Sequence, residues 1–173
     1  MSEVPQSVIA ISMPEADQVL SCVRSRYEGE MPPAGAPAHI TLLYPWMPPA
    51  HIGAAEMAGL ASLFADFPCF DFRLELGWFG HEVLLLVPED PSPFVALTEA
   101  VISRWPMFPY YCGDHDKIEP HVTLAYGDLS ALAPIAAELS GLLPVRGRVT
   151  SACLSAGQPG LMSTQGSFAL GCH

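Results

Sequence analysis

The chain has 173 residues and a formal net charge of −11, from 7 basic and 18 acidic side chains; half its residues are hydrophobic and 14% are charged. That length is close to one domain on the usual prior of roughly 150 residues, and so apolar a chain can offset its ordering entropy by burying a core, which excludes disorder. One lysine, Lys117, and six arginines form no basic stripe, so a duplex-coating protein and a binder of anionic membranes are both excluded, while a small anionic group held by a few local donors is not.

The start, Met1-Ser2-Glu3-Val4-Pro5-Gln6, has neither a basic n-region nor an apolar h-region, so no secretory signal is expected and the location read from it is cytoplasmic. Residues 7–13 (SVIAISM) are apolar and β-branched enough for a strand. Pro14 falls where a first helical turn tolerates proline, and a helix is expected over 15–28. A Pro/Gly/Ala loop leads to a strand over 38–44, which Pro45, Pro48 and Pro49 end. An alanine-rich helix follows over 52–65. Residues 70–76 (FDFRLEL) alternate apolar with charged, the period of a strand with one wet face.

Gly80-His81-Glu82 reads as a turn, and 83–87 returns as a fully buried strand. That aliphatic run is the longest in the chain and far shorter than the roughly 20 residues a membrane span needs. A helix over 93–105 carries Phe94, Leu97, Val101 and Trp105 on one side. A loop over 108–120 precedes a strand over 121–126. Asp128 or Ser130 can cap a helix running to about 142, and two last strands are expected over 148–154 and 167–170. Five cysteines, scattered and without a C-x-x-C pair, read as buried free thiols. No glycine-rich phosphate loop follows any strand. The alternation of helices with strand pairs indicates an α+β chain.

The most informative feature is a repeat, His39-Ile40-Thr41-Leu42 and His121-Val122-Thr123-Leu124, 82 residues apart. Six histidines and five threonines among 173 residues make about 0.17 His-x-Thr triplets expected by chance; two are present, each in a strand setting. On a strand, residues i and i+2 share a face. Each histidine therefore points with its threonine, while Ile40, Leu42, Val122 and Leu124 turn toward a core. Two such strands side by side present two imidazoles and two hydroxyls to one cleft. One imidazole can accept a proton while the other donates, and the threonines can bond the oxygens of a phosphate between them. This chemistry calls for no metal and no cofactor.

The segments HITLLYPW and PHVTLAYG, with the GWF and LLLVPE segments between them, resemble the 2H phosphoesterase superfamily, specifically the 2′-5′ RNA ligase and RNA 2′,3′-cyclic phosphodiesterase family. The resemblance runs over about residues 8–171. It implies one bilobal α+β domain over residues 1–173, with two pseudo-symmetric, interleaved lobes of antiparallel sheet and outer helices. Each lobe gives one His-x-Thr strand to a central groove. It implies hydrolysis of a 2′,3′-cyclic phosphate, on an RNA end or a small nucleotide, to a 2′-phosphate, with reversible 2′-5′ ligation as the related reaction. His39 and His121 become the acid–base pair, and Thr41 and Thr123 the phosphate donors. Tyr44, Trp78 and Tyr126 are candidates to flank the groove and stack on a base. The expected partner is a small phosphate-bearing substrate, with no long duplex, no membrane and a monomeric state.

Two departures from the family pattern narrow the substrate. Ile118-Glu119, not a basic residue, precede Pro120, and the last hairpin reads Leu161-Met162 where relatives often carry an Arg-Trp-type pair. Both remove groups that steady a polynucleotide. The competing reading from another class is a non-catalytic binder of nucleotides or cyclic phosphates on the same groove. Asp114-His115-Asp116 is expected to be a solvated loop rather than a metal site. His51 and His81 are expected at the surface, and His173, the last residue, is expected to be frayed.

Overall fold

The computed structural model describes residues 4–172, so His173 lies outside the described residues. Its eight strands are β1 (Gln6–Ser12), β2 (His39–Leu43), β3 (Phe70–Phe79), β4 (Val83–Pro88), β5 (Val122–Tyr126), β6 (Val145–Val149), β7 (Ser151–Gln158) and β8 (Leu161–Ala169). Four helices accompany them: α1 (Asp17–Arg26), α2 (Ala54–Ala65), α3 (Ser92–Arg104) and α4 (Leu129–Glu138). Among the described residues, no helix is long and apolar enough to cross a membrane.

The strands form two four-stranded antiparallel sheets, ordered β2-β1-β7-β8 and β5-β4-β3-β6. The orders correspond. Each begins with a His-x-Thr strand at its edge, and next to it lies the strand that precedes it through a helix. The crossovers β1-α1-β2 and β4-α3-β5 thus repeat one plan, which is the expected α+β fold with two related lobes.

The helices interleave the lobes. α3, from the second lobe's crossover, packs on β2 of the first sheet, and α1 reaches β5 of the second. The chain leaving α1 then ties itself to the end of β5: Tyr27 Oη donates to the Tyr126 carbonyl at 2.7 Å, and the Tyr126 N–H donates to the Glu30 carbonyl at 2.9 Å. β2 and β5 consequently meet.

Period-2 alternation decides which side chains go where. Ile40, Leu42, Val122 and Leu124 are buried, as expected, in one continuous core with Ile9, Ile11, Leu74 and Leu84 of both sheets and Phe64 and Phe94 of the helices. Fully burying one such side chain contributes roughly 1.5–3 kcal/mol. The core therefore holds the strands in the one register that turns their polar residues to the cleft.

Three expectations need correction. The last part of the chain holds three strands, not two: the expected strand over 148–154 is divided at Thr150 between β6 and β7, β7 runs on through Ser, Ala and Gly positions recruited by pairing with β1, and β8 starts at Leu161, well before residue 167. β3 runs on to Phe79 rather than stopping at Leu76, because its last residues pair with β4. The cysteines are not all free, since Cys69 and Cys172 form a disulfide, leaving Cys22, Cys112 and Cys153 as thiols. The two partners are 103 residues apart and meet only because the chain's end returns to the start of β3. Nor are the remaining thiols buried: Cys112 is exposed, and Cys22 and Cys153 are half-buried.

Candidate active site

Each His-x-Thr strand orients its histidine in the same way. Nδ1 of His39 lies 2.9 Å from the Pro37 carbonyl oxygen, and Nδ1 of His121 lies 2.7 Å from that of Glu119. A carbonyl only accepts, so Nδ1 carries the hydrogen in both rings, and Nε2 is the unprotonated nitrogen when the ring is neutral. The two contacts have the same offset of two residues. They make matched imidazoles, each with one nitrogen committed to the backbone and one left for chemistry.

Beside His121 lies a cavity of about 210 Å³. Its apolar walls are Phe79, Val83, Leu85, Tyr110 and Tyr126. Its polar lining is His121 and Thr123 from the second motif, with His115, Lys117 and Glu119 from the loop before it. Tyr111 lines it too and carries the first motif to it: the Thr41 hydroxyl hydrogen-bonds the Tyr111 phenol, and the Tyr111 ring meets Tyr44 edge-on at 6.5 Å. His39 shares the Thr41 face of β2, opposite Ser12, with Thr41 opposite Ala10.

The loop is also tied to the histidine it precedes. The Glu119 backbone N–H bonds the Tyr110 hydroxyl, while the Glu119 carbonyl accepts from His121. Burial pushes the Tyr110 hydroxyl up to about 12, with Tyr111 beside it adding to the rise. Tyr111 is likewise raised, first by burial, with Thr41 opposing. Both phenols therefore stay protonated donors at the neutral pH where imidazoles exchange protons.

Of the residues singled out from the sequence, His121, Thr123 and Tyr126 line the cavity, Thr41 and Tyr44 reach it through Tyr111, and His39 does not line it but lies on the Thr41 face of β2. The Tyr44 hydroxyl is hydrogen-bonded to Gln6 Oε1. Trp78 does not join them. It pairs with Leu84 and packs against the core, and its neighbour Phe79, 52% exposed, faces the cavity instead. His51 and His81 are exposed as expected. His115 is exposed but lines the cavity, its ring 5.0 Å from Tyr111. Among the described residues, no three His, Cys, Asp or Glu side chains are grouped to hold a metal ion.

Tyr110, Tyr111, Lys117 and Phe79 were not found from the sequence. For Phe79 the signal was present: the alternation of 70–76, carried three residues further, turns Trp78 inward and Phe79 outward. The loop residues had no periodic signal to carry.

Two antiparallel sheets, each edged by a His-x-Thr strand and meeting at those edges, define the fold of the 2H phosphoesterases. A family model described as the 2′-5′ RNA ligase superfamily matches residues 14–158. The chain belongs to that superfamily, whose members are phosphoesterases and ligases. Among solved structures, TT0787 of Thermus thermophilus is 21% identical at a TM-score of 0.65, covering 97% of this chain and 99% of that one. LigT of E. coli, complexed with NADP+, is 21% identical at a TM-score of 0.60, covering 96% and 99%. The same protein complexed with 3′-AMP gives 19% identity and a TM-score of 0.59, covering 97% and 99%. No match was found among curated proteins.

Proposed function

We propose that the protein is a phosphoesterase that opens a 2′,3′-cyclic phosphate to a 2′-phosphate by paired-histidine acid–base catalysis. The observation that carries this reading is the matched pair of imidazoles, each with Nδ1–H held by a backbone carbonyl two residues earlier. In the reaction His121 Nε2 takes a proton from water as the water oxygen attacks phosphorus. The P–O3′ bond breaks, and His39, protonated at Nε2, gives its proton to the departing 3′-oxygen. Thr123 donates to one non-bridging oxygen and the Thr41 side of the site serves the other, where charge builds in the transition state. With a ribose 5′-OH in place of water, the same pair forms a 2′-5′ linkage. Ring strain supplies the activation, so no nucleoside triphosphate is consumed.

The cavity supports a small nucleotide as substrate. Its walls carry several aromatic rings against which a base can stack, and exposed Lys117, paired with Glu119 at 3.7 Å, lines it as a cation that a phosphate can recruit. The volume, about 210 Å³, is below the roughly 300–1,000 Å³ of sites that enclose drug-sized ligands, which suits one flat ring. LigT, a structural neighbour, is seen with NADP+ and with 3′-AMP, both small and phosphate-bearing.

The test is turnover of a short oligonucleotide and of a mononucleotide, each ending in a 2′,3′-cyclic phosphate, with and without EDTA. His39→Ala and His121→Ala are each expected to lower kcat by about 10²–10⁴-fold, the range of general acid–base catalysis, and EDTA to leave the rate unchanged. Full activity in either variant sinks the mechanism. Micromolar binding of a 2′-phosphonucleotide with no turnover of either substrate would mark a non-catalytic binder instead.

A further inference from the structure

Three consecutive residues of the cavity loop have left-handed backbones: Tyr111 (φ 45°), Cys112 (φ 56°) and Gly113 (φ 84°). Glycine adopts such angles freely. A tyrosine and a cysteine do so at a cost that persists only where the surroundings hold them, which is typical of functional loops. Here the holding contacts are rings. Tyr111 packs edge-on against Tyr110 at 4.6 Å, His115 at 5.0 Å and Tyr44 at 6.5 Å.

The strained turn delivers one phenol to one place. Tyr111 lines the cavity that His121 and Thr123 line, and its oxygen is hydrogen-bonded by the hydroxyl of Thr41. It joins the threonine of one motif to the cavity of the other. When Thr41 donates to the phenol oxygen, the phenol's own hydrogen is left for an acceptor beyond it, and the first bond polarises the second. An anionic oxygen is the acceptor that such a pair serves best.

We propose that Tyr111 is a third hydroxyl of the phosphate site: Thr41 spends its one hydrogen on the phenol oxygen, and the phenol in turn donates to one non-bridging oxygen of the substrate phosphate while Thr123 serves the other. This rests on the cyclic-phosphate reading of the site. The raised position of the phenol keeps its hydrogen available throughout the range in which the histidines work. Tyr111 takes no proton in the reaction. Its part is to bind the oxygen whose charge grows as water adds.

The experiment uses a 2′,3′-cyclic mononucleotide and its two cyclic phosphorothioate diastereomers, in which sulfur replaces one or the other non-bridging oxygen. Tyr111→Phe keeps the ring and its edge contacts, so its melting temperature should match wild type. On the all-oxygen substrate its kcat/KM is expected to fall about 10- to 100-fold, the loss of one hydrogen bond to a charged group. For one diastereomer only, the slowing caused by sulfur should largely vanish in the variant. Thr41→Val should affect that same diastereomer, and the double variant should lose less than the product of the two.

A Tyr111→Phe rate within twofold of wild type, or above it, overturns the proposal. So does a slower variant that keeps the wild-type response to both sulfur substitutions, because a role confined to packing leaves that response unmoved. If wild type does not turn over the all-oxygen substrate, the cyclic-phosphate reading fails separately. Calorimetry with a 2′-phosphonucleotide then decides: binding weakened about tenfold or more by Tyr111→Phe upholds the phosphate contact, and equal binding overturns it.

Discussion

At the scale of single residues, the two histidines of the proposed acid–base pair are held by peptide groups. The Pro37 and Glu119 carbonyls fix the tautomer, and for His121 the fixing extends one step further, because Tyr110 accepts from the Glu119 N–H. Tyr110 is only 7% exposed, and burial raises its hydroxyl from the ordinary 10.0 to about 12. The folded state therefore favours the neutral phenol. That contribution is fully present below pH 10 and is lost as pH rises from 10 through about 12, where the unfolded chain ionises first. Denaturant unfolding at pH 9 and pH 11 should show wild type losing more stability across this window than Tyr110→Phe. Equal losses would show that Tyr110 is not what makes the fold alkali-sensitive.

At the scale of elements, β2 separates two functions between adjacent residues. Thr41 faces the cleft, and Leu42 is fully buried in the core. Leu42→Ala should cost about 2–5 kcal/mol and lower the melting temperature by several degrees, whereas Thr41→Val should melt near wild type and lose kcat/KM. A stable Leu42→Ala would mean that the strand is not held by its core face. The same alternation explains what could be read in advance. His39-x-Thr41 and His121-x-Thr123 are local i, i+2 patterns, so their faces followed from composition, as did the wet and dry faces of β3 as far as Leu76. The second half of β7 was hidden because its Ser, Ala and Gly residues take strand form only when β1 supplies a partner. Tyr110 and Tyr111 were hidden because a left-handed turn, with no periodicity, aims the second of them. The Cys69–Cys172 pair depends on where the last strand ends relative to β3, which spacing alone does not reveal.

At the scale of the whole molecule, the charge of −11 combines with where the cations are spent. Arg24 holds the Pro33 and Ala36 carbonyls, Arg26 pairs with Glu138, Arg73 with Glu75 and Glu89, and Arg148 with Asp71, while Arg104 lies over Trp105. Among the described residues, Lys117 is the one lysine or arginine that lines the cavity, and it pairs with Glu119 at 3.7 Å. An anionic substrate thus approaches against the overall field, with one cation at the destination. Added salt screens that field, so kcat/KM for a cyclic-phosphate oligonucleotide should rise by a factor of about 2 or more between low and physiological ionic strength, and less for a mononucleotide. A fall with salt, as for a basic groove, would contradict this. The disulfide has a different consequence. Cys69 and Cys172 close residues 69–172 into a covalent ring that contains β5, His121 and the whole cavity loop, whereas β2 and His39 lie on the arm outside it. A protease nick in the exposed Asp114–Asp116 stretch would put the two histidines on separate peptides, yet sulfur would still join those peptides into one species. Whether such a nicked molecule stays whole then depends on the reductant around it.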